Sequence, residues 1–301
     1  MATRSLGGSP PTPLGFGEEK LAAEIAGLDA LEAHLESHPS RARRVWSTVW
    51  PKLAAVAIAL LAWQAVVWSG WREPYQLPGP GKVLPALADL AVTGKFWKAV
   101  GITMRRAVSG YALALVIGSV LGIAVARFRL LRTAVGSLIT GLQTMPSIAW
   151  FPIAILLFGL TEQAIMFVVV LGAAPSIANG LIAGVDHVPP LMLRAGRMIG
   201  AKGVGLYRHV VLPAALPTYV AGLKQGWAFA WRSLMAGELL VIVASRPSIG
   251  AQLQFARDVS AADEMMAIMI VILVIGIVVD TVFGRADVAI RRRWGLIEHG
   301  T

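Results

Sequence analysis

The chain of 301 residues is 56% hydrophobic and only 15% charged, carries a net charge of +10 and has no cysteine. Soluble globular chains carry about 25% charged residues, so the composition excludes an ordinary soluble domain and points to an all-α polytopic membrane protein. Disulfides and thiolate metal sites are excluded. No RNA- or DNA-binding motif accompanies the positive charge, so no nucleic-acid partner is expected.

Residues 1–50 read as a tail. Its first 17 residues are rich in Gly, Pro and Ser, with no apolar run of the kind a cleavable signal needs. Residues 18–36 read as an acidic helix whose Leu21, Ile25, Leu28, Leu31 and Leu35 fall on one side. It is either a loosely packed tail helix or a clamp that lays its leucines on a soluble partner. A net charge of −5 sets it against an anionic membrane surface.

A membrane domain is expected over 51–285, with six spans near 53–68, 107–126, 134–157, 164–183, 215–243 and 266–283, each near the ~20 residues a bilayer requires. Trp46, Trp50, Trp68 and Trp71 flank the first span as interfacial aromatics. The connection 72–100 holds Pro74, Pro78 and Pro80 and one short helix near 83–90. Gly118 and Gly122 give the second span a small-residue face for close helix approach. Pro146 and Pro152 predict a kink or break in the third span near Thr144–Ser147. Residues 286–301 form a basic tail.

With the N-terminus inside, the segments 1–52, 127–132, 183–212 and 285–301 hold 17 Lys and Arg, against 8 in the outer loops. This asymmetry places both termini and the segment 189–213 in the cytoplasm.

That segment is the polar interruption in an otherwise apolar half. Pro189 and Pro190 fix the start of a short helix. Leu191, Arg194, Ala195 and Met198 then share a face at three- to four-residue spacing. Ala195 and Gly196 are small enough for a partner's backbone to approach, and Gly200 is placed to end the helix in a left-handed conformation. Leu212-Pro213 restarts the chain into the fifth span, where Lys224, Arg232 and Glu238 interrupt an apolar, aromatic run. A charge at membrane depth costs about 2.5–3.5 kcal/mol on insertion scales, so each must face a partner or water. Two readings stand: structural ion pairs with another helix, or a cationic path for an anionic solute. The path would include Gln225, Trp227 and Trp231, with Gln143, Thr144 and Ser147 as further polar lining.

The five histidines are scattered, and no GxxxxGK[ST], HExxH or GxSxG motif is present. An enzyme is not expected, nor is any nucleotide, metal or other cofactor site in this chain.

In spacing, Ala195, Gly200 and Val210-Val211-Leu212-Pro213 resemble the cytoplasmic loop of ATP-binding-cassette importer permeases: Glu-Ala-Ala, three residues, Gly, nine residues, Ile, one residue, Leu-Pro. Arg194 stands where that pattern has Glu, and Gly196 where it has Ala. Pro78 with Pro80, TMPSIAWFPIAILLFG at 144–159, AGEL at 236–239 and Asp280 with Arg292-Arg293-Trp294-Gly295 are similar to the nitrate, sulfonate, taurine and bicarbonate permeases of that class. The resemblance implies the type I importer permease fold in a bacterial inner membrane. It also implies a pair of permease subunits, most simply a homodimer, over an ATPase dimer that binds ATP and Mg. An extracytoplasmic solute-binding protein would deliver a small anion. Leu191, Arg194, Ala195, Gly196, Met198, Gly200, Leu212 and Pro213 would couple the permease to the ATPase. The competing class is a proton- or ion-coupled secondary transporter, with Glu238, Asp280 or Glu162 as the acid; a third is a purely structural membrane subunit.

Overall fold

The computed structural model describes residues 41–293, and the chain falls into two compact units, 1–65 and 66–301. The acidic stretch 18–36 and the end of the basic tail, with Trp294 and Gly295, lie outside the described residues. Of the first unit, helix α1 (Arg41–Trp68) is described; its apolar run Val49–Trp68 is of membrane length.

In the second unit, α2 (Pro80–Val92) starts on Pro80, where the missing N–H costs nothing because the first turn has no acceptor for it. Helix α3 (Gly94–Arg127) begins thirteen residues before the expected span. No proline interrupts 94–127, so helix absorbs what the sequence reading assigned to a loop, Arg105 and Arg106 included. Helix α4 (Arg129–Thr144) stops before Pro146, because Met145 is held extended by the proline that follows it. A 3₁₀ turn (Ser147–Trp150) and helix α5 (Phe151–Phe158) complete a pair bent by 106°. The predicted break is present, and it amounts to a corner.

Helix α6 (Glu162–Asp186) is followed by α7 (Pro190–Met198), α8 (Gly203–Leu206), a π turn (Tyr207–Val211) and α9 (Leu212–Leu240). The π turn has a local cause. Pro213 has no N–H to donate, and its ring would crowd the carbonyl of His209 in a regular helix; the wider turn relieves that clash. Helix α10 (Ile249–Asp258), unforeseen from the sequence, and α11 (Ala262–Arg293) complete the chain.

Among the described residues, four helices (α1, α3, α6 and α11) are long and apolar enough to cross a membrane, or five segments if the bent α4/α5 pair counts as one. Helix α9, the expected fifth span, is long enough at 29 residues but falls short in apolarity, carrying Lys224, Gln225, Arg232 and Glu238. It tolerates them because it is packed between α6 and α11, so little of it needs to face lipid.

Helix α6 is the spine of this unit: more than half of its most apolar stretch is buried, against about a tenth for α11. Small residues set its two closest neighbours. A methyl group on Gly118 would sit 2.6 Å from the carbonyl oxygen of Ala174, and one on Gly122 would sit 3.1 Å from that of Ala178, so the small-residue face of α3 lies directly on α6. On the other side Gly180 and Gly222 meet almost backbone to backbone, a methyl on either reaching the other's Cα within 2.6 Å. Dispersion contacts over such close approaches hold helices together where no hydrophobic effect can act.

Candidate coupling segment and translocation path

Helix α7 begins on Pro189-Pro190 and ends in a left-handed turn. Gly200 has φ +90°, its N–H donates to the carbonyl of Arg197 (3.1 Å), and the Ala201 N–H donates to the carbonyl of Gly196 (3.0 Å). These two bonds close a Schellman motif, which satisfies carbonyls the helix end would otherwise leave open. Leu191, Arg194, Ala195 and Met198 all point into solvent, and Met198 and Ile199 are 87% and 85% exposed.

Gly196 has a packing role that the sequence reading did not give it. It is buried, and a methyl there would come within 2.9 Å of both Leu206 Cδ1 and Val210 Cγ2. Its small size seats α7 on α8 and the π turn of its own chain, and it also lines the apolar groove beside them. Leu212 and Pro213 carry the chain from the π turn into α9, and Pro213 also lines an apolar groove of about 520 Å³ with Pro189, Met192, Ala195 and Ile199. Arg194, Arg197, Lys202 and Arg208 are exposed and have no acidic partner among the described residues.

At the other end of α9 a cluster of charges is turned inward. Arg106 Nη1 donates to Glu238 Oε1 (2.8 Å), and its Nη2 donates to Glu162 Oε1 (2.5 Å). Glu238 is fully buried and also accepts from the Thr103 hydroxyl (2.9 Å) and the Gly250 N–H (3.1 Å). Thr103 Oγ1 in turn accepts from the Ile249 N–H at 3.0 Å. Helices α3, α6, α9 and α10 are tied at one point, and the outlying Arg246 lies 3.8 Å from Glu162. Sequence reasoning missed Arg106 by placing it in a loop. The available signal was an arginine in a proline-free run, with two acids at the ends of other apolar segments.

The remaining candidate path residues separate into three places. Lys224 Nζ is 3.1 Å from Asp280 Oδ1 on α11, and both side chains are about half exposed. Trp231 shares the Lys224 face of α9 two turns on and stacks on Trp227 (centroids 6.4 Å apart). Trp227 itself is buried, edge-on to Tyr111 at 5.3 Å and near Phe283, so it belongs to the core. Arg232 is exposed, with its guanidinium over Phe229 (5.0 Å) and Nε donating to the Ala228 carbonyl on its own helix. Gln225 is exposed.

The third place is the α4–α6 contact. Gln143 Nε2 donates to Ser176 Oγ (2.7 Å), while its Oε1 accepts from Asn179 Nδ2 (2.6 Å). Thr144 Oγ1 bonds the Gly141 carbonyl of its own helix, and Ser147 opens the 3₁₀ turn beside Gly172. Lys224 and Trp231 thus share a face of α9, Glu238 joins a buried lock, and Gln143 serves a helix contact.

The family model for the inner membrane component of binding-protein-dependent transport systems matches residues 99–295. This chain belongs to that family. A permease protein of the ABC transporter class from Methanocaldococcus jannaschii is 31% identical over 233 residues, covering 76% of this chain and 86% of the relative. The taurine transport system permease protein TauC of Escherichia coli is 26% identical, covering 76% and 84%. The nitrate import permease protein NrtB of a Synechocystis strain is 27% identical, covering 75% and 83%. In fold, a chain of the inward-facing MetNI methionine ABC transporter superposes with a TM-score of 0.50 at 21% identity, covering 64% of this chain and 93% of that one. The protein is therefore a permease subunit of an ABC importer, a multi-pass membrane protein whose family works with an ATPase and a solute-binding protein.

Proposed function

We propose that this permease forms the path for a small oxyanion of the sulfonate or nitrate type, works as a pair of identical subunits, and is driven by α7 seated on a separate ATPase. The observation that carries the coupling role is the surface of α7 and α8. Leu191, Met192, Met198, Ile199 and Val204 stand at least half exposed, beside four cations with no partner of their own. An apolar row rimmed by unpaired charge is what a soluble protein's groove covers. Both termini and α7 are cytoplasmic in this reading, which the distribution of Lys and Arg supports. ATP and Mg are held by the partner, which closes on ATP and draws the two α7 helices together, turning the path from inward to outward.

The anion class rests on the similarity to the taurine and nitrate permeases together with Lys224 and Arg232 on α9. The test is uptake of labelled taurine and nitrate by vesicles holding the complete complex. One preparation carries the native ATPase, the other an ATPase unable to hydrolyse ATP. Uptake of either anion only in the first supports the reading. Uptake that survives the dead ATPase and collapses with the proton gradient would return the protein to secondary transport.

A further inference from the structure

Lys224 and Asp280 form an ion pair between α9 and α11. Lys224 lies about 18 Å along α9 and Asp280 about 20 Å from the end of α11, at 1.5 Å per residue. Both fall within the expected spans 215–243 and 266–283, yet their side chains are 42% and 58% exposed. Lipid is a poor surrounding for half-exposed charges within a span, so this face of α9 and α11 borders water or a partner.

The surroundings assign the two sides of the pair. An apolar groove of about 610 Å³ is lined by Trp231, Met235, Leu253, Ile272 and Gly276, with Asp280 at its edge. A second groove of about 700 Å³ runs along α11 past Thr281, Arg285 and Arg292, and Asp280 lines it too. Trp231 and Gly276 meet in the first groove: a methyl on Gly276 would lie 3.5 Å from the indole Nε1. That N–H has no acceptor among the described residues. Arg285 and Arg292 have no acidic partner among them either. Among the residues that line the two grooves Asp280 is the one acid, and it lines both, while Asp287 on the same helix is taken by Arg291.

We propose that Asp280 is an exchangeable counter-ion for Lys224. In the empty permease the carboxylate holds the ammonium, which keeps the junction neutral. A small oxyanion displaces it, taking Lys224 as its cation and the Trp231 indole N–H as a second donor, and then passes toward Arg285 and Arg292. The inference rests on the oxyanion reading given above. It adds that anion binding at this point is a competition between two acids for one ammonium, so Asp280 sets how weakly the path holds its cargo and how readily it lets go.

The test uses the purified full chain, with nitrate as both ligand and quencher of tryptophan fluorescence. Native protein should show a saturable component of quenching that Trp231→Phe and Lys224→Gln remove. Asp280→Asn should keep that component and lower the half-saturating nitrate concentration about fivefold, the scale on which an exposed ion pair competes. The double variant Lys224→Gln/Asp280→Asn should behave like Lys224→Gln alone, in quenching and in taurine uptake by the complete complex. Unchanged half-saturation in Asp280→Asn would overturn the proposal. So would recovery of uptake in the double variant or in the charge swap Lys224→Asp/Asp280→Lys, because only a structural pair is rescued that way. If the native complex imports neither taurine nor nitrate, the oxyanion reading fails by itself, and the quenching series still decides the exchange.

Discussion

The two ends of α9 handle charge in opposite ways. Near its end, Arg106 pairs with both Glu162 and Glu238 within the chain, and Glu238 is fully buried with both carboxylate oxygens hydrogen-bonded, by Thr103, Arg106 and the Gly250 N–H. At its start, Arg194, Arg197, Lys202 and Arg208 are all exposed and have no acid to pair with among the described residues. A buried charge must be satisfied by its own fold, because nothing else can reach it. An exposed, unpaired set spread over α7, the turn before α8 and the π turn is free to be satisfied by another protein. The same residue types therefore serve stability at one end and docking at the other. Lys224 and Asp280, half exposed between them, belong to neither class.

The strongest way to break this contrast is Arg106→Ala. Removing one partner of a buried pair leaves the other charge stranded, so the variant should lose about 3–5 kcal/mol of stability. The loss is read as a fall in thermal midpoint of the purified permease or as absence from the membrane fraction. Arg194→Ala should leave that midpoint unchanged; an equal fall would erase the distinction between the two ends.

Ala195→Asp comes next. It adds a carboxylate to the exposed face of α7 without touching the core, and should cut coupled uptake about tenfold, equivalent to about 1.4 kcal/mol, while the thermal midpoint holds. Uptake at the native rate would mean that α7 docks by another face. Gly200→Ala probes the geometry of the same helix. A side chain at φ +90° is strained by about 1–2 kcal/mol, so local protection of the α7 amides from hydrogen exchange should drop while the rest of the permease is unaffected. The smallest effect is expected of Arg132→Ala. Its 2.7 Å pair with Asp186 ties α4 to the end of α6, but both side chains are over 40% exposed. Its loss should cost under about 1 kcal/mol, and a larger loss in a melt would show that surface pairing matters here as much as the buried lock.

Much of the architecture could be read without coordinates because its causes are local. Pro146 stops α4, Gly200 ends α7, and Gly118 with Gly122 marks a close helix face, each through backbone chemistry that acts on immediate neighbours. Gly196 was read as small, but its packing inside the chain was not foreseen. Smallness is a property of the residue, whereas the direction it faces depends on Leu206 and Val210, which lie ten and more positions away.

By itself, then, the sequence determined the helical membrane class, the break before Pro146, the bounds of the short basic helix and the presence of charges that needed partners. Hydropathy, proline and glycine act over a few residues, and positive-charge bias needs only loop counts. Tertiary structure alone decided who those partners are: Glu238 with Arg106, 132 positions away, and Lys224 with Asp280. Pairing between charges on different helices is set by which faces meet. That depends on how Gly180 and Gly222 let α6 and α9 touch, and no local rule contains it.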